Sequence, residues 1–395
     1  MPSLIFRKGL DLKDAVAGEL AAAYHSHIVD AIRAAGYVRA SGRLTIHLAK
    51  EFGFCYGVDR AVDYAYQTRR KFPDKRVFLT GEIIHNPHVN DQLRERGIRL
   101  LTDPGEDPAT LGADDVVILP AFGVSIGELE RLTRTGCTLV DTTCGSVLNV
   151  WKNVRRYAQD GFTSVIHGKV SHEETRATAS QATQFPGAHY LIVRDEAEAQ
   201  RVCDYIRQGG DAAGFIAYFG QAASPGFDPD THLLRVGCAN QTTMLMSESL
   251  AIGEMLRAAM RDRHGDAELA SRFRAFDTIC SATQERQDAV VALLDEQRLD
   301  LMVVIGGYNS SNTCNLARIC ADHVPTFHIA DPSCLEGADA IRHRPIGAPS
   351  TASVPEIVTR VWLPAGQIRV GLTAGASTPN NIVGQVVERL EKLAE

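Results

Sequence analysis

The sequence predicts an α/β protein built from parallel sheets. Short apolar runs recur from Leu44 almost to the C-terminus, and each is followed by a polar loop rich in Gly, Ser, Thr or Asn and then by a helical stretch. Apolar runs that alternate with helices are typical of parallel strands covered by helices on both faces. Ligands bind such sheets at the carboxyl ends of the strands, so we expect the polar loops to carry the function.

The predicted elements follow one another with room for one helix after each strand. Ahead of the first strand, residues 10–20 and 27–35 have the spacing of amphipathic helices that end near Gly36. Residues 1–43 are therefore expected to form a separate helical extension. The strand-like runs lie at 44–48, 77–84, 116–119, 138–140, 164–166, 233–236, 276–280, 301–305 and 368–372.

Three cysteines occupy the same kind of turn between a strand and a helix. Asp141-Thr-Thr-Cys144 and Asp277-Thr-Ile-Cys280 share an Asp-Thr-x-Cys signature, and Cys55 lies in an equivalent turn. The intervals between the three are about the size of a small domain, so each cysteine can head its own α/β unit. The predicted units are 44–144, 145–276 and 277–395, arranged around one centre.

Length and charge exclude several classes of protein. The chain has 395 residues, enough for two or three domains, and 45% hydrophobic and 23% charged residues, as in ordinary folded proteins. A net charge of −7 without a basic block gives no driving force for binding nucleic acid or an anionic membrane. No run of 18 apolar residues and no secretory signal is recognisable, so we expect a cytoplasmic protein.

The three cysteines predict a metal centre. Unpaired amides and the helix dipole at a helix N-terminus favour a thiolate, and three thiolates at one point need a cation between them. Structural zinc sites and ferredoxin clusters usually show C-x-x-C, which is absent. Three isolated ligands suggest a 4Fe-4S cluster whose fourth iron is open to substrate. Packed loop thiols remain the alternative, and packing is the expectation for the other six cysteines.

The remaining loops suit a phosphate or diphosphate. They offer neutral hydroxyl and amide donors at helix N-termini and two imidazoles, in Thr242, Thr243, Ser310, Ser311, Asn312, Ser377, Thr378, His85 and His172. Walker and dinucleotide motifs are absent. Any one of these loops taken alone is better explained as an ordinary helix cap, and only the loops together favour a ligand site. His172-Glu173-Glu174 is the best acid–base candidate, although Glu is also common at a solvated helix start.

These segments together resemble a known family. They are Phe52-Gly-Phe-Cys-Tyr-Gly-Val-Asp-Arg-Ala-Val, His85-Asn-Pro, Asp141-Thr-Thr-Cys, His167-Gly-Lys-Val-Ser-His-Glu-Glu-Thr, Asn240-Gln-Thr-Thr, Asp277-Thr-Ile-Cys-Ser-Ala-Thr-Gln-Glu-Arg-Gln-Asp-Ala, Asn309-Ser-Ser-Asn and Thr373-Ala-Gly-Ala-Ser-Thr-Pro. In this order they resemble the motifs of the 4-hydroxy-3-methylbut-2-enyl diphosphate reductases, from about Leu44 to the C-terminus. The N-terminal extension is similar to that of the longer, chloroplast-type branch.

The resemblance implies a fold and an activity. The family has three α/β units in a trefoil around one 4Fe-4S cluster per chain. It performs the last step of the non-mevalonate isoprenoid pathway, removing the allylic hydroxyl of its diphosphate substrate to give isopentenyl and dimethylallyl diphosphates. The electrons usually come from ferredoxin or flavodoxin.

The resemblance also implies roles for individual residues. Cys55, Cys144 and Cys280 would hold the cluster. Glu174 would be the proton source, with Thr242 beside the leaving hydroxyl. The diphosphate would be held by His85, His172, Ser310, Ser311, Asn312 and Ser377.

Two positions depart from the common family pattern. Phe122 stands where many members have a histidine before Gly-Val-Ser, as in the chloroplast-type branch, so one diphosphate contact is lost. Gly145 follows Cys144 where proline is usual, which predicts a less rigid loop. Two other functions stay open: a cluster lyase that eliminates water without net electron transfer, and a non-enzymatic iron–sulfur sensor.

Overall fold

The computed structural model describes residues 4–276, 279–349 and 354–395. Asp277 and Thr278 of the second Asp-Thr-x-Cys segment lie outside these ranges. The strands are β1 Ile5–Phe6, β2 Val38–Ser41, β3 Leu44–Leu48, β4 Val77–Leu79, β5 Ile98–Leu100, β6 Val116–Leu119, β7 Thr138–Asp141, β8 Thr163–His167, β9 Tyr190–Val193, β10 Val236–Asn240, β11 Phe273–Ala275, β12 Leu301–Ile305, β13 Thr326–Ile329, β14 Ala340–His343, β15 Ile357–Arg360 and β16 Ile368–Ala374. The helices are α1 Lys13–Tyr24, α2 His27–Ala34, α3 Tyr56–Lys71, α4 Pro87–Glu95, α5 Ile126–Thr135, α6 Gly145–Gln159, α7 Glu173–Ala182, α8 Glu196–Gln208, α9 Ala212–Phe219, α10 Pro229–His232, α11 Met246–His264, α12 Asp266–Arg272, α13 Ser281–Glu296, α14 Ser311–Ala321 and α15 Asn380–Ala394.

The chain divides into two compact units. The single-sheet unit contains Phe122–Gly136 and Thr143–Cys280, and the two-sheet unit contains Leu4–Ala121, Cys137–Thr142 and Ser281–Glu395. The predicted α/β class with three parallel sheets is confirmed. The unit boundaries differ from those expected, because a strand joins the sheet whose edge it can pair with, wherever it lies in the sequence.

The two-sheet unit is named for its two five-stranded sheets, which have the orders β1-β7-β6-β4-β5 and β13-β12-β16-β3-β2. Within these two sheets all neighbouring strands are parallel except β2, which runs antiparallel to β3. β14 and β15 form a separate small antiparallel pair in the same unit. Alternate residues of β12 are buried in two different apolar clusters, Leu301 and Val303 in one and Met302 and Val304 in the other. Helices therefore cover this strand on both faces, as the continuous apolar run predicts.

The single-sheet unit has a parallel sheet in the order β11-β10-β8-β9. Its central strand β10 is also buried on both faces: Cys238 packs with residues of α8 and α11, and Ala239 packs with residues of α6. The carboxyl ends of β8 and β10 lead into the loops before α7 and α11, so residues 168–172 and 241–245 leave the sheet at one edge.

The N-terminal segment is not the separate helical extension that the sequence predicts. Its two helices are present, but β1 pairs in parallel with β7 and β2 pairs with β3. Val29 and Ile32 of α2 are buried in the same cluster as β3, β12 and β16. The strand at 44–48, expected to open the first α/β unit, pairs with β16 in the sheet of the last one. Residues 4–43 are thus part of the two-sheet unit.

Two predicted strands are displaced. The run expected at 276–280 is preceded by the observed strand β11, and the run expected at 233–236 is shifted for a reason that lies in the packing. Of the run expected at 233–236 only Val236 lies in the observed strand, because β10 extends from Val236 through Gly237 to Asn240. A Cβ atom at Gly237 would lie 2.5 Å from the ring of Tyr157, whose hydroxyl donates to the carbonyl of Cys238 at 3.0 Å. The glycine interrupts the apolar pattern in the sequence because this ring leaves no space for a side chain.

None of the helices among the described residues is both long enough and apolar enough to cross a lipid bilayer.

Candidate active site

Cys55 is the N-cap residue of α3 in the two-sheet unit. Its backbone is extended (φ −88°, ψ 165°) and its N–H donates to the carbonyl of Ala376 at 3.1 Å, in the loop after β16. The N–H of Gly53 similarly donates to Ala374 at 3.2 Å. The side chain is half-buried, so the thiol lies at a helix N-terminus without being sealed in the core.

Cys144 and Cys280 belong to the single-sheet unit. Cys144 is the N-cap residue of α6, with an extended backbone (φ −63°, ψ 144°). Cys280 directly precedes α13, and its N–H donates to the carbonyl of Thr242 at 3.4 Å. Both side chains are half-buried. All three predicted cluster cysteines are therefore found at the starts of helices, as the sequence indicated.

The other cysteines differ in burial. Five of them, Cys137, Cys203, Cys238, Cys320 and Cys334, are fully buried. Burial raises the pKa of Cys203 to about 11 and that of Cys238 and Cys320 to about 12, so these thiols stay protonated. Cys314 is half-buried and donates to the carbonyl of Tyr308 at 3.4 Å. Core packing, the predicted role, accounts for the buried five.

Glu174 and Thr242 form a buried pair in the single-sheet unit. Glu174 is 2% exposed and Thr242 is 4% exposed. One carboxylate oxygen of Glu174, Oε1, accepts the backbone N–H of Thr242 at 2.6 Å, and the other, Oε2, lies 3.0 Å from the Thr242 hydroxyl. The two contacts fix the plane of the carboxyl group. The two residues that the resemblance assigned to proton transfer are in direct contact.

His172 lies at the start of the same helix as Glu174. It is the N-cap residue of α7, and its Nδ1 accepts the backbone N–H of Glu174 at 3.2 Å. Because Nδ1 is an acceptor, the proton of a neutral ring is on Nε2, which makes Nε2 a donor. Phe122 packs edge-on against this imidazole, with the ring centroids 6.0 Å apart. The phenylalanine at position 122, where many family members have a histidine, therefore contributes an aromatic contact to His172.

Gln241, for which the sequence predicted no role, braces this part of the site. Its Oε1 accepts from the Lys169 N–H at 3.2 Å and from the Thr175 hydroxyl at 3.0 Å, and its Nε2 donates to the Thr243 hydroxyl at 2.7 Å. The side chain therefore ties the loop before α7 to the loop that carries Thr242. Its place inside the Asn-Gln-Thr-Thr motif was the available signal.

Gly168 makes that bracing possible. A Cβ atom at this position would lie 2.7 Å from the Thr175 hydroxyl and 3.2 Å from Cβ of Gln241. Neither neighbour is free to shift, because the two are hydrogen-bonded to each other. Glycine after His167 is therefore a requirement of close packing beside the site.

The predicted diphosphate residues of the two-sheet unit surround the start of α14. Ser310 is the N-cap and its hydroxyl accepts the N–H of Thr313 at 3.3 Å, so the ordinary helix-cap role is realised there. Asn312 accepts the Ala376 N–H at 3.0 Å through Oδ1. Its Nδ2 is buried without a hydrogen-bond partner among the described residues. Ser311 is buried beside it, 2% exposed.

An amide donor of this kind needs an acceptor, because a buried unsatisfied polar group is costly. Ser377, the last predicted contact of this unit, donates to the carbonyl of His85 at 3.1 Å. Ser377 therefore ties the loop after β16 to the segment that carries the histidine. The structure brings His85, Asn312 and Ser377 into one connected group of loops.

His85 is oriented by a carboxylate that was not among the predicted site residues. Its Nδ1 lies 2.9 Å from Oε2 of Glu82, and the Asn309 amide donates to the same oxygen at 2.8 Å. A carboxylate accepts only, so His85 carries a proton on Nδ1. Glu82 lies three residues before His85, and that short spacing was a usable signal.

Comparison with known proteins identifies the family. The family model described as LytB protein matches residues 46–391. A protein of Gloeobacter violaceus named 4-hydroxy-3-methylbut-2-enyl diphosphate reductase is 49% identical over 395 residues, which cover 98% of this chain and 92% of that protein. One of the same name from Thermosynechococcus vestitus is 47% identical, with 97% and 93% covered.

Two solved structures are also similar. The structure of (E)-4-hydroxy-3-methyl-but-2-enyl diphosphate reductase, described as the terminal enzyme of the non-mevalonate pathway, is 27% identical, with 88% of this chain and 99% of that chain covered and a TM-score of 0.51. The reductase from Plasmodium falciparum shares the fold, with a TM-score of 0.61 at 20% identity, covering 87% of this chain and 86% of that one. The resemblance predicted from the motifs is confirmed. Because the family model matches most of the chain and relatives almost half identical to it cover nearly all of it, the chain belongs to the LytB protein family.

Proposed function

We propose that this chain catalyses the reductive removal of the allylic hydroxyl of 4-hydroxy-3-methylbut-2-enyl diphosphate. The products are isopentenyl and dimethylallyl diphosphates, and the reaction is the last step of the non-mevalonate pathway. The names of its relatives support this reaction. The observation that carries it in this chain is the buried Glu174–Thr242 pair, which can hold a proton and deliver it to a departing oxygen.

The residues fit the iron–sulfur cofactor that the family implies. Cys55, Cys144 and Cys280 are half-buried at helix starts, where a thiolate is favoured. Among the described residues none of the chain's cysteines forms a disulfide bond. We propose that these three residues hold one 4Fe-4S cluster. When bound, such a cluster supplies electrons and, at an iron without a protein ligand, a Lewis acid for the hydroxyl oxygen.

Glu174 would hold the proton that leaves with the hydroxyl. Removing the hydroxyl as water and placing hydrogen on carbon consumes two electrons and two protons. A proton on Oε2 of Glu174 faces the Thr242 hydroxyl at 3.0 Å, and Thr242 can pass a hydrogen bond on to the substrate oxygen. The Thr242 N–H on Oε1 then stabilises the carboxylate that remains. Because Glu174 and Thr242 are buried, bulk water does not exchange its protons with the carboxyl group during this transfer.

The diphosphate would be bound by neutral donors and imidazoles. Asn312 offers its buried Nδ2, and His172 offers Nε2–H. We propose that these, with His85, Ser310, Ser311 and Ser377, hold the diphosphate. Hydrogen bonds to an anion are stronger than those between neutral groups, so donors without a lysine or arginine suffice. Phe122 offers no such donor, and the remaining residues supply the contacts.

A redox partner completes the reaction. The chain has to receive electrons, and a small one-electron carrier such as ferredoxin or flavodoxin is the partner we propose. The three proposed ligands, Cys55, Cys144 and Cys280, are half-buried rather than sealed in the core, which suits electron transfer from a partner bound at the surface.

An anaerobic assay tests the proposal. Protein purified and reconstituted without oxygen should contain about four irons per chain and should convert 4-hydroxy-3-methylbut-2-enyl diphosphate to the two products only with a reductant such as dithionite. A chain with iron that loses substrate without consuming reductant would be a lyase. A chain with iron and no turnover would be a sensor, and a colourless chain would refute the cluster.

A further inference from the structure

Arg286 is a buried arginine that was assigned no role from the sequence and has none in the proposed reaction. It lies on α13 in the two-sheet unit and is 3% exposed. Arginine is almost never fully buried unless it is paired. Its partners here are backbone carbonyls: Nε and Nη2 donate to Gly53 at 3.1 and 2.7 Å, Nη2 to Phe54 at 3.1 Å, and Nη1 to Ala282 at 2.8 Å.

The carbonyls that Arg286 binds belong to the segments next to two of the proposed cluster ligands. Gly53 and Phe54 immediately precede Cys55, and Ala282 lies two residues after Cys280. The N–H groups of Gly53 and Cys55 are bonded to the end of β16 and the loop after it. Arg286 thus donates hydrogen bonds to the carbonyls of the Cys55 loop, while the end of β16 and the loop after it accept hydrogen bonds from the amides of the Cys55 loop. Without the guanidinium, two carbonyls of this loop lose their donor.

The charge of Arg286 has no carboxylate partner in the part of the chain that the structure describes, where all its hydrogen bonds go to carbonyls. A buried charge without a counter-charge is costly, and carbonyl dipoles offset only part of that cost. A cluster held by three thiolates carries negative charge. Such a cluster beside the Cys55 loop supplies the counter-charge that the protein itself does not.

We propose, on the basis of the proposed cluster, that Arg286 is a positioning residue that braces the Cys55 loop and compensates the negative charge of the cluster. The brace acts through the planar guanidinium, which reaches three carbonyls at once. The charge acts on the cofactor's electronics, since net charge and hydrogen bonding near a cluster set its reduction potential. A nearby cation stabilises the more negative, reduced form and therefore raises the potential.

Two substitutions separate the two roles. Arg286→Lys keeps the charge but cannot bind several carbonyls in a fixed plane. Arg286→Gln removes the charge and keeps a hydrogen-bond donor. Arg389→Gln is the matched control, because Arg389 on α15 of the same unit also donates to two backbone carbonyls, those of Leu335 and Glu336, both at 2.9 Å.

The measurements are made on anaerobically reconstituted full-length protein and do not depend on turnover. They are iron retained against a chelator, the electron paramagnetic resonance spectrum after reduction, the midpoint potential, and thermal unfolding of the apoprotein. Loss of a residue that orients metal ligands typically weakens metal binding about 10–100-fold. We expect a loss on that scale in both Arg286 variants, an altered spectrum in both, and a more negative midpoint potential in Arg286→Gln only.

Several results would overturn the inference. If Arg286→Gln retains iron and has the midpoint potential of the wild type, the inference is wrong. It is also wrong if all three variants lose iron only in proportion to their loss of apoprotein stability. If Arg286→Gln does not fold, unchanged iron retention and spectrum in Arg286→Lys refute the brace. A wild-type chain that takes up no cluster would instead refute the proposed function, and the inference would fall with it.

Discussion

Replacing Glu174 by glutamine removes the proton that this residue would deliver but keeps its hydrogen bonds to Thr242. The carboxylate accepts the Thr242 N–H at 2.6 Å and meets the Thr242 hydroxyl at 3.0 Å. A glutamine amide of the same shape can accept the N–H through its oxygen. Its NH₂ group can donate to the hydroxyl once that hydroxyl turns to accept. Both contacts survive, so the substitution costs only about 1 kcal/mol of folding stability.

The effect on turnover should be far larger. Glutamine has no acidic proton, and a positioned general acid contributes about 10²–10⁴-fold to the rate. That range corresponds to about 3–5 kcal/mol of activation free energy. We therefore expect kcat of Glu174→Gln to fall by two to four orders of magnitude, while KM and iron content stay near those of the wild type.

The assay is anaerobic turnover with excess chemical reductant, combined with iron analysis. Glu198→Gln is the matched control, because Glu198 in the first turn of α8 also accepts a loop N–H, that of Arg194, at 2.7 Å. This control should keep its kcat. Near-normal turnover in Glu174→Gln with a full complement of iron would show that another group delivers the proton, and the role assigned to the pair would be wrong.

Three further predictions concern stability. Gly145→Pro should stabilise the apoprotein by about 0.4–1 kcal/mol in urea unfolding, because position 145 opens α6 and Cys144 already has the extended backbone that precedes proline; a lower stability would contradict this. Gly168→Ala should destabilise it by about 1–3 kcal/mol, because the added methyl overlaps the Thr175 hydroxyl, and an unchanged melting temperature would show that the loop can relax. Burial lowers the pKa of His167 and of His328 to about 4. Unfolding lets each bind a proton, so stability should fall by about 3 kcal/mol per histidine as the pH drops from about 6.5 to 4; a flat profile in that window would refute it.

The acid prediction depends on the sign of the pKa shift. Between pH 4 and pH 6.5 the unfolded chain binds more protons at these two positions than the folded chain does. The stability that comes from keeping both rings neutral is therefore complete above the pKa of an exposed histidine and is lost on acidification. His167→Asn should remove the part of the pH dependence of folding stability that His167 contributes.

Much of the fold was readable from the sequence because parallel strands are buried on both faces. Continuous apolar runs such as Val116–Leu119 and Leu301–Ile305 became strands with the predicted bounds. The edge strands β5, β9 and β13 were not predicted. They are three or four residues long, and the runs of β5 and β13 are interrupted by a charged or polar residue, whereas β9 is a continuous apolar run that was missed. A short edge strand is defined by the neighbour that pairs with it, which the sequence does not contain.

The candidate site divides in the same way. The types of the reactive residues and their positions at helix starts followed from local patterns, and Glu174 and Thr242 were named from motifs. The residues that bind and orient these groups were not predicted. Gln241 and Arg286 bind atoms of segments that are distant in the chain, and a hydrogen bond between distant segments leaves no periodicity in the sequence. Glu82 is different, because it contacts His85 only three residues away and its spacing was a usable signal.

By itself, the sequence determined the α/β class, the helix-start position of the three cysteines and the family, because hydrophobic periodicity and motif spacing are local properties. Only the tertiary structure decided that Ile5 pairs beside Leu139, that Glu174 grips Thr242, and that Arg286 holds the loop before Cys55. Such contacts join residues far apart in the chain. Their existence depends on how whole elements pack, since the free energy that favours them appears only once the surrounding surfaces are buried.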